Sequence, residues 1–188
     1  LARYAAEEDA EAICFAGVHF MAETAKLLNP EARVFVPDME AGCSLASSCK
    51  GVDLAAYQKH LTTKLGRRPV TVAYINCSAE VKALSDIICT SGNARKVVDS
   101  IPADEPILFV PDMHLGGWLN EETGREMILW NGACQVHELF SVDTLRVLQA
   151  QHPTSITISH PECPKAVRDA SDHVLGTAGM LRMVKAAH

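Results

Sequence analysis

Residues 53–84, DLAAYQKHLTTKLGRRPVTVAYINCSAEVKAL, contain the pattern that decides the fold class. Asp53–Leu65 starts with an N-cap aspartate and is followed by Gly66, which together predict a complete α-helix. Val70–Ile75 is a short apolar run rich in β-branched residues and predicts a buried strand, and a second helix is predicted at 79–84. A buried strand between two helices is typical of an α/β protein with parallel sheets.

The same alternation continues along the rest of the chain. Further strands are predicted at 13–18, 33–36, 107–110, 127–130, 156–159 and 173–175. Further helices are predicted at 1–12, 19–28, 94–100, 141–151, 164–170 and 178–187. Proline and acidic residues cluster at 100–105, where we expect a boundary between units. Because the chain starts at Leu1 inside a helical pattern and ends inside another, we expect a piece of a longer protein.

The composition excludes several classes of protein. Of the 188 residues, 48% are hydrophobic, which is enough to form a sizeable core. A net charge of -6 disfavours a general nucleic-acid or acidic-membrane binder, and 5% aromatic residues disfavour a stacking surface for single strands. No apolar run approaches the ~18 residues of a membrane span, and no signal-peptide pattern opens the chain.

The seven cysteines are too sparse, and odd in number, for a disulfide scaffold, so we expect a reduced, cytosolic protein. Cys14 and Cys89 lie within apolar runs and are expected to be small core residues. Cys43 and Cys134 instead follow strand-like stretches in loops that contain glycine. Thiols in such loops can converge on a metal ion.

A weak internal repeat indicates a duplicated α/β unit of about 85–90 residues. At an offset of 86 residues, 74–77 (YINC) aligns with 160–163 (HPEC), and Ser91 aligns with Thr177. Ligands of open α/β sheets bind at the carboxyl ends of the strands. Equivalent strand ends of the two units are therefore expected to face one site.

Cys43 and Cys134 are separated by 91 residues, close to the same period. A third counterpart of these two cysteines would lie beyond His188. Three cysteine ligands on a [4Fe–4S] cluster leave one iron open, and an open iron is a Lewis acid.

A series of motifs, in order along the chain, carries a family resemblance. They are Gly17–Glu23 (GVHFMAE), Asn29-Pro30, Val36-Pro-Asp38, Ala41-Gly-Cys43 with Ala46, Tyr74-Ile-Asn76, Ala83–Asn93 (ALSDIICTSGN), Val110-Pro-Asp112, Asn131-Gly-Ala-Cys134 with His137, and His160–Pro164 (HPECP) through 167–169 to Thr177. Together they resemble the quinolinate synthases, the iron–sulfur enzymes of de novo NAD synthesis. The HPECP and Cys-x-x-His motifs are the most specific.

The resemblance implies a fold of repeated three-layer-type α/β units with short parallel sheets, arranged about a pseudo-threefold axis. About two units are expected here. Residues 1–35 would be the remainder of the first unit, and 36–105 a second unit that starts with the Cys43 loop. Residues 106–188 would be a further unit with the Cys134 loop and HPECP.

The resemblance also implies a reaction and its participants. Iminoaspartate and dihydroxyacetone phosphate would condense to quinolinate, with loss of phosphate and water. The enzyme would be cytoplasmic, and L-aspartate oxidase would be a functional contact because it supplies the imine.

Residue roles follow from the same resemblance. Cys43 and Cys134 would be two ligands of a [4Fe–4S] cluster, whose third cysteine is absent from this chain. The substrate-binding residues would be Tyr74, Ile75, Asn76, Ser91, His160, Pro161, Glu162 and Thr177. Of these, Tyr74, His160 and Glu162 would be catalytic. Glu162 is expected to be the general acid or base, and His160 to bind substrate and shuttle protons.

Simpler interpretations stay open for several of these residues. Tyr74 and Asn76 also fit a strand end and a helix cap, and Ser91 and Thr177 fit ordinary helix N-caps. His137 is expected beside the cluster, without ligating it. Cys77 and Cys163 are expected near the site or in the core.

Two other classes of protein are alternatives. One is a non-catalytic α/β protein that binds zinc or an iron–sulfur centre through Cys43 and Cys134, with zinc also using Cys163 and His160. The other is a metal-free α/β enzyme of phosphate metabolism.

Overall fold

The computed structural model describes residue 4, residue 7 and residues 10–187. Most of the helix predicted at 1–12 lies outside these residues, and Ala12 begins a strand. The strands are β1 (Ala12–Cys14), β2 (Arg33–Phe35), β3 (Val70–Tyr74), β4 (Ile87–Cys89), β5 (Ile107–Val110), β6 (Ile128–Leu129), β7 (Ile158–Ser159) and β8 (His173–Val174). The helices are α1 (His19–Leu28), α2 (Ser44–Ser47), α3 (Gly51–Leu65), α4 (Ala79–Ala83), α5 (Ala94–Asp99), α6 (Met113–Thr123), α7 (Gln135–Glu138), α8 (Val142–Gln151), α9 (Lys165–Asp169) and α10 (Thr177–Ala186).

All of the strand pairs in the described residues are parallel, which confirms the predicted fold class. The central sheet has the order β4-β3-β5-β6, and β1 pairs with β2 and β7 with β8 in two-stranded sheets. Because β5 pairs with β3, the central sheet combines strands from both sides of residues 100–105. The division into three units stays a prediction.

The core lies on both faces of β3 and β5. Val72 and Phe109 point to the face that packs against α5 and α6, together with Leu115. Ala73 and Leu108 point to the opposite face, which packs against α3 and α4. A strand covered on both faces is mostly apolar, which explains the composition of β3 and β5. Thr71 in β3 is an exception, and its buried hydroxyl accepts a hydrogen bond from the Gln58 amide at 2.8 Å.

Several predicted details are wrong. Helix α3 begins at Gly51 with Lys50 as its N-cap, so Asp53 lies in the first turn, where its carboxylate faces the positive end of the helix dipole. Cys14, which was expected in the core, is exposed. It lies on β1, which pairs with β2 alone in a two-stranded sheet, and the described residues leave the Cys14 side chain uncovered. Cys89 is buried, as predicted.

Helix α6 was not predicted, because glycines interrupt its apolar pattern. Asp112 caps its start by accepting a hydrogen bond from the Leu115 N–H at 2.7 Å, and Gly124 ends it in the left-handed conformation. A Cβ atom on Gly116 would come within 2.6 Å of Leu129, so the glycine allows the helix to lie close to the sheet. Strand β4 and the short helices α2 and α7 were also missed.

Within the described ranges, no helix combines the length and the apolar composition that spanning a membrane requires.

The burial of β5 leads to a stability prediction. Leu108→Ala should lower the free energy of unfolding by about 2–5 kcal/mol, because Leu108 is fully buried and its removal leaves a cavity. Leu181→Ala is the matched control, since Leu181 is 56% exposed on α10 and should change stability little. Urea unfolding of both variants measures the difference, and equal losses would contradict the assignment of the core.

Candidate active site

Side chains from two different sheets meet at the carboxyl ends of β3 and β7. The Tyr74 hydroxyl, at the end of β3, donates to Glu162 Oε2 at 3.3 Å. The Asn76 side-chain amide donates to the Tyr74 oxygen at 3.1 Å. Glu162 follows β7 and is only 3% exposed, so its carboxylate depends on these partners.

His160 connects Glu162 to Ser91. Its Nδ1 lies 3.1 Å from Glu162 Oε2, and its Nε2 lies 3.2 Å from the Ser91 hydroxyl. The Nδ1 atom also accepts a hydrogen bond from the backbone N–H of Glu162 at 3.3 Å. The imidazole therefore lies between the Ser91 hydroxyl and the Glu162 carboxylate and contacts both.

His137 completes the group around Glu162. Its ring stacks on that of His160, with centroids 5.2 Å apart, and its Nδ1 lies 3.8 Å from Glu162 Oε2. Sequence reasoning placed His137 beside a cluster and missed its contact with this carboxylate. The spacing of three residues predicts that His137 lies near Cys134, but it carries no signal for the contact with Glu162, which follows a different strand.

Burial shifts the titration of several groups in the site. It raises the pKa of Tyr74, and the neighbouring charge of Glu162 adds to the shift, so the phenol keeps its proton and acts as a donor. Burial lowers the pKa of His137, which favours the neutral imidazole. Burial also raises the pKa of Asp112 to about 6, although its bond from the Leu115 N–H acts in the opposite direction.

The cleft that these residues line has a volume of about 660 Å³. Of the predicted binding residues, it is lined by Tyr74, Asn76, His160, Glu162 and Thr177. The lining also includes the apolar side chains of Leu139, Phe140, Leu145 and Leu148. A cleft with clustered polar groups and apolar side chains is typical of a small-molecule site.

The remaining predicted binding residues lie next to the cleft. The Ser91 hydroxyl contacts His160 Nε2. It also lies close to Gly176, the residue before Thr177, because a Cβ atom added to Gly176 would be 2.7 Å from this hydroxyl. The backbone N–H of Ile75 already donates to the Cys89 carbonyl at 2.8 Å. The Pro161 carbonyl accepts a hydrogen bond from the Arg168 guanidinium at 3.3 Å.

The structure brings the loops of Cys43 and Cys134 together. Each cysteine is the N-cap of a four-residue helix, α2 or α7, and both pack against the same core cluster. The Gln135 N–H, after Cys134, donates to the hydroxyl of Ser44, after Cys43, at 3.2 Å. The Trp130 indole donates to the Ser48 carbonyl at 3.0 Å, which adds a second link between the loops.

The two other cysteines singled out from the repeat, Cys77 and Cys163, are both buried. Cys163 also lines the cleft, and its carbonyl accepts from Arg168. Cys77 packs in the core behind β3 with Cys49 and Val81.

Arg168 is a residue that sequence reasoning missed. Its buried guanidinium donates to the carbonyls of Pro161 at 3.3 Å and Cys163 at 3.2 Å, on either side of Glu162. It also donates to the His114 carbonyl at 2.9 Å, which ties this loop to α6. Nothing in its local sequence distinguishes it from an exposed helical arginine, because its burial depends on contacts with His114 and Glu121 of α6, which are distant in sequence.

The whole chain is similar to proteins of one known family. Residues 1–188 match the family model described as Quinolinate synthetase A protein. Curated relatives named quinolinate synthase include one from Synechococcus sp., 51% identical over 181 residues, which are 96% of this chain and 55% of the relative. Others come from Cyanothece sp. (50% identical, 98% of this chain and 56% of the relative) and Chloroherpeton thalassium (51% identical, 96% and 55%). The chain spans about half the length of these relatives.

The contact between the two cysteine loops leads to a prediction at Gly132. A Cβ atom there would lie 2.3 Å from the Ser48 hydroxyl and 2.4 Å from the Pro111 carbonyl, so Gly132→Ala must displace backbone and lower the midpoint of urea unfolding. Gly117→Ala is the control, because no heavy atom lies within 4 Å of the added Cβ and alanine favours a helix by roughly 1 kcal/mol. A Gly132→Ala protein as stable as wild type would show that the loops are not in close contact.

Proposed function

Since this chain belongs to the quinolinate synthase family, we propose that it supplies the substrate cleft and two cluster ligands of a quinolinate synthase. The reaction joins iminoaspartate and dihydroxyacetone phosphate and releases quinolinate, one phosphate and two waters. The observation that carries the proposal is the buried carboxylate of Glu162, which accepts from Tyr74 and lies beside His160 in one cleft.

Glu162 has the role of general acid and base. Condensation requires a proton to leave a carbon next to the imine, and dehydration requires a proton to reach each departing oxygen. Tyr74 keeps its proton because burial raises its pKa, so the carboxylate is the acceptor of this pair. The contacts from Tyr74 and His160 hold its Oε2 atom in place.

His160 connects the carboxylate to the substrate-binding side of the cleft. Its Nδ1 lies 3.1 Å from Glu162 Oε2 and its Nε2 lies 3.2 Å from the Ser91 hydroxyl, so one imidazole contacts both groups. This supports a role for His160 in proton transfer as well as in binding.

The cleft also suits anionic substrates. Both substrates carry acidic groups, which require neutral or positive donors in place of further carboxylates. Thr177 begins α10, where unpaired backbone N–H groups and the Thr177 hydroxyl are able to bind an anion. Ser91 approaches the same helix start, so these two residues are proposed to bind the phosphate or a carboxylate.

Cys43 and Cys134 fit an iron–sulfur cluster as donors. Their loops are held together by the Gln135–Ser44 hydrogen bond, and both thiols are partly exposed. Burial raises the pKa of Cys134, but the backbone N–H groups of His137 and Val136 act to lower it and stabilise the thiolate. The [4Fe–4S] cluster, with a third cysteine from outside this chain, would supply a Lewis-acidic iron.

We further propose a cytoplasmic enzyme that works with L-aspartate oxidase. All seven cysteines, which fall within the described residues, are free thiols, as a reducing compartment favours. An imine hydrolyses in water, so a source of iminoaspartate close to the cleft would limit its loss.

The role of Glu162 is tested in a version of the chain extended to the length of its relatives. Glu162→Gln should keep the brown chromophore and lower kcat by about 10²–10⁴-fold, because the amide accepts no proton. Glu31→Gln, at an exposed position before β2, is the control and should keep kcat. Unchanged turnover in Glu162→Gln would remove this residue from the chemistry.

The cluster ligands are tested in the same extended version. Cys134→Ala should lose the brown chromophore and the activity together, whereas Cys14→Ala should keep both, because Cys14 is an exposed thiol on β1. Absorption spectra and metal analysis after anaerobic purification report the loss of iron. A colourless Cys134→Ala protein with full activity would refute the role of this cysteine.

A further inference from the structure

Three potential metal ligands of different chemistry lie together in the described part of the chain. Ligand atoms of Cys134, His137 and Glu162 all lie within 4.8 Å of one another. Cys134 and His137 project from the same face at the start of α7, and Glu162 reaches them from the loop after β7. Cys43 is not a member of this group.

Two of these side chains have buried atoms that no hydrogen bond satisfies. Glu162 Oε1 and His137 Nδ1 are both without a hydrogen-bond partner among the described residues. The other carboxylate oxygen, Oε2, is held by Tyr74 and His160. The contacts at Oε2 therefore hold Glu162 in place, and Oε1 is left able to bind a metal ion. In metal sites, hydrogen bonds to a ligand commonly orient it in this way.

We propose that Cys134, His137 and Glu162 bind a single divalent transition-metal ion of the Zn²⁺ type. A sulfur, a nitrogen and an oxygen donor suit zinc and cobalt, whereas magnesium and calcium prefer oxygen donors alone. Three protein ligands leave a fourth tetrahedral position open to water or a small anion. Two of the three ligands, His137 and Glu162, line the cleft.

The ion and the iron–sulfur cluster would compete for one thiolate. Cys134 belongs to both ligand sets, so the two occupants exclude each other, while Cys43 belongs to the cluster set alone and His137 to the ion set alone. The competition rests on the proposed function, but the mononuclear site does not. A chain without its cluster would therefore take up zinc and be blocked.

The site is tested by titrating the iron-free, reduced chain with Co²⁺. One equivalent should bind, with thiolate-to-cobalt absorption in the near ultraviolet and visible bands of tetrahedral cobalt, and Zn²⁺ should remove both. His137→Gln and Glu162→Gln should weaken binding by more than Tyr74→Phe, which removes a second-sphere bond and should cost about 10–100-fold. Circular dichroism checks that each variant is folded.

Cys43→Ser is the matched control. It keeps the mononuclear ligands and should still bind one equivalent of Co²⁺, while in the extended version it should not form a brown cluster. His137→Gln should weaken Co²⁺ binding and, in the extended version, should still form the brown cluster. Full Co²⁺ binding in both His137→Gln and Glu162→Gln, or binding without thiolate absorption, would overturn the inference. Co²⁺ binding with no cluster in any preparation would overturn the proposed function and leave the mononuclear site intact.

Discussion

The buried carboxylate of Glu162 is the group around which the site is organised. A carboxylate that is 3% exposed is stable only where donors surround it, and the loop that carries it must be held in place. The Tyr74 hydroxyl donates to this carboxylate, and the His160 imidazole lies 3.1 Å from the same oxygen. Arg168 holds the loop through the carbonyls on either side of Glu162, and ties it to the first turn of α6. Strand β3 and helix α6, both distant in sequence from this loop, therefore help to fix one carboxylate.

The parallel sheets explain why the functional groups meet. Every strand pair in the described residues is parallel, so the polar residues after each strand collect at the carboxyl ends. The apolar strands β3 and β5 form the buried centre, and the polar side chains of the candidate site lie at the ends of β3 and β7. The cysteine loops start two short helices that pack on the same core, which brings them to the same region.

Much of this arrangement could be predicted from the sequence. Helix α1 and strand β5 have the predicted bounds, and the helix after Ser141 has the predicted cap. The alignment of 74–77 with 160–163 identified Tyr74 and Glu162, which touch in the structure. Helix α6 was missed because close packing on the sheet requires glycine, which masks the helical pattern. The contacts of Arg168 and His137 depend on tertiary structure, and no local signal specifies them.

The most direct test of the account is a crystal structure of the extended, anaerobically purified protein with data collected at the iron absorption edge. The central claim is that the Cys43 and Cys134 loops and the Glu162 cleft form one site. Anomalous density should lie within bonding distance of the sulfur atoms of Cys43 and Cys134 and face the Glu162 carboxylate. Iron bound elsewhere, with these two sulfurs pointing into separate regions of the molecule, would contradict the account.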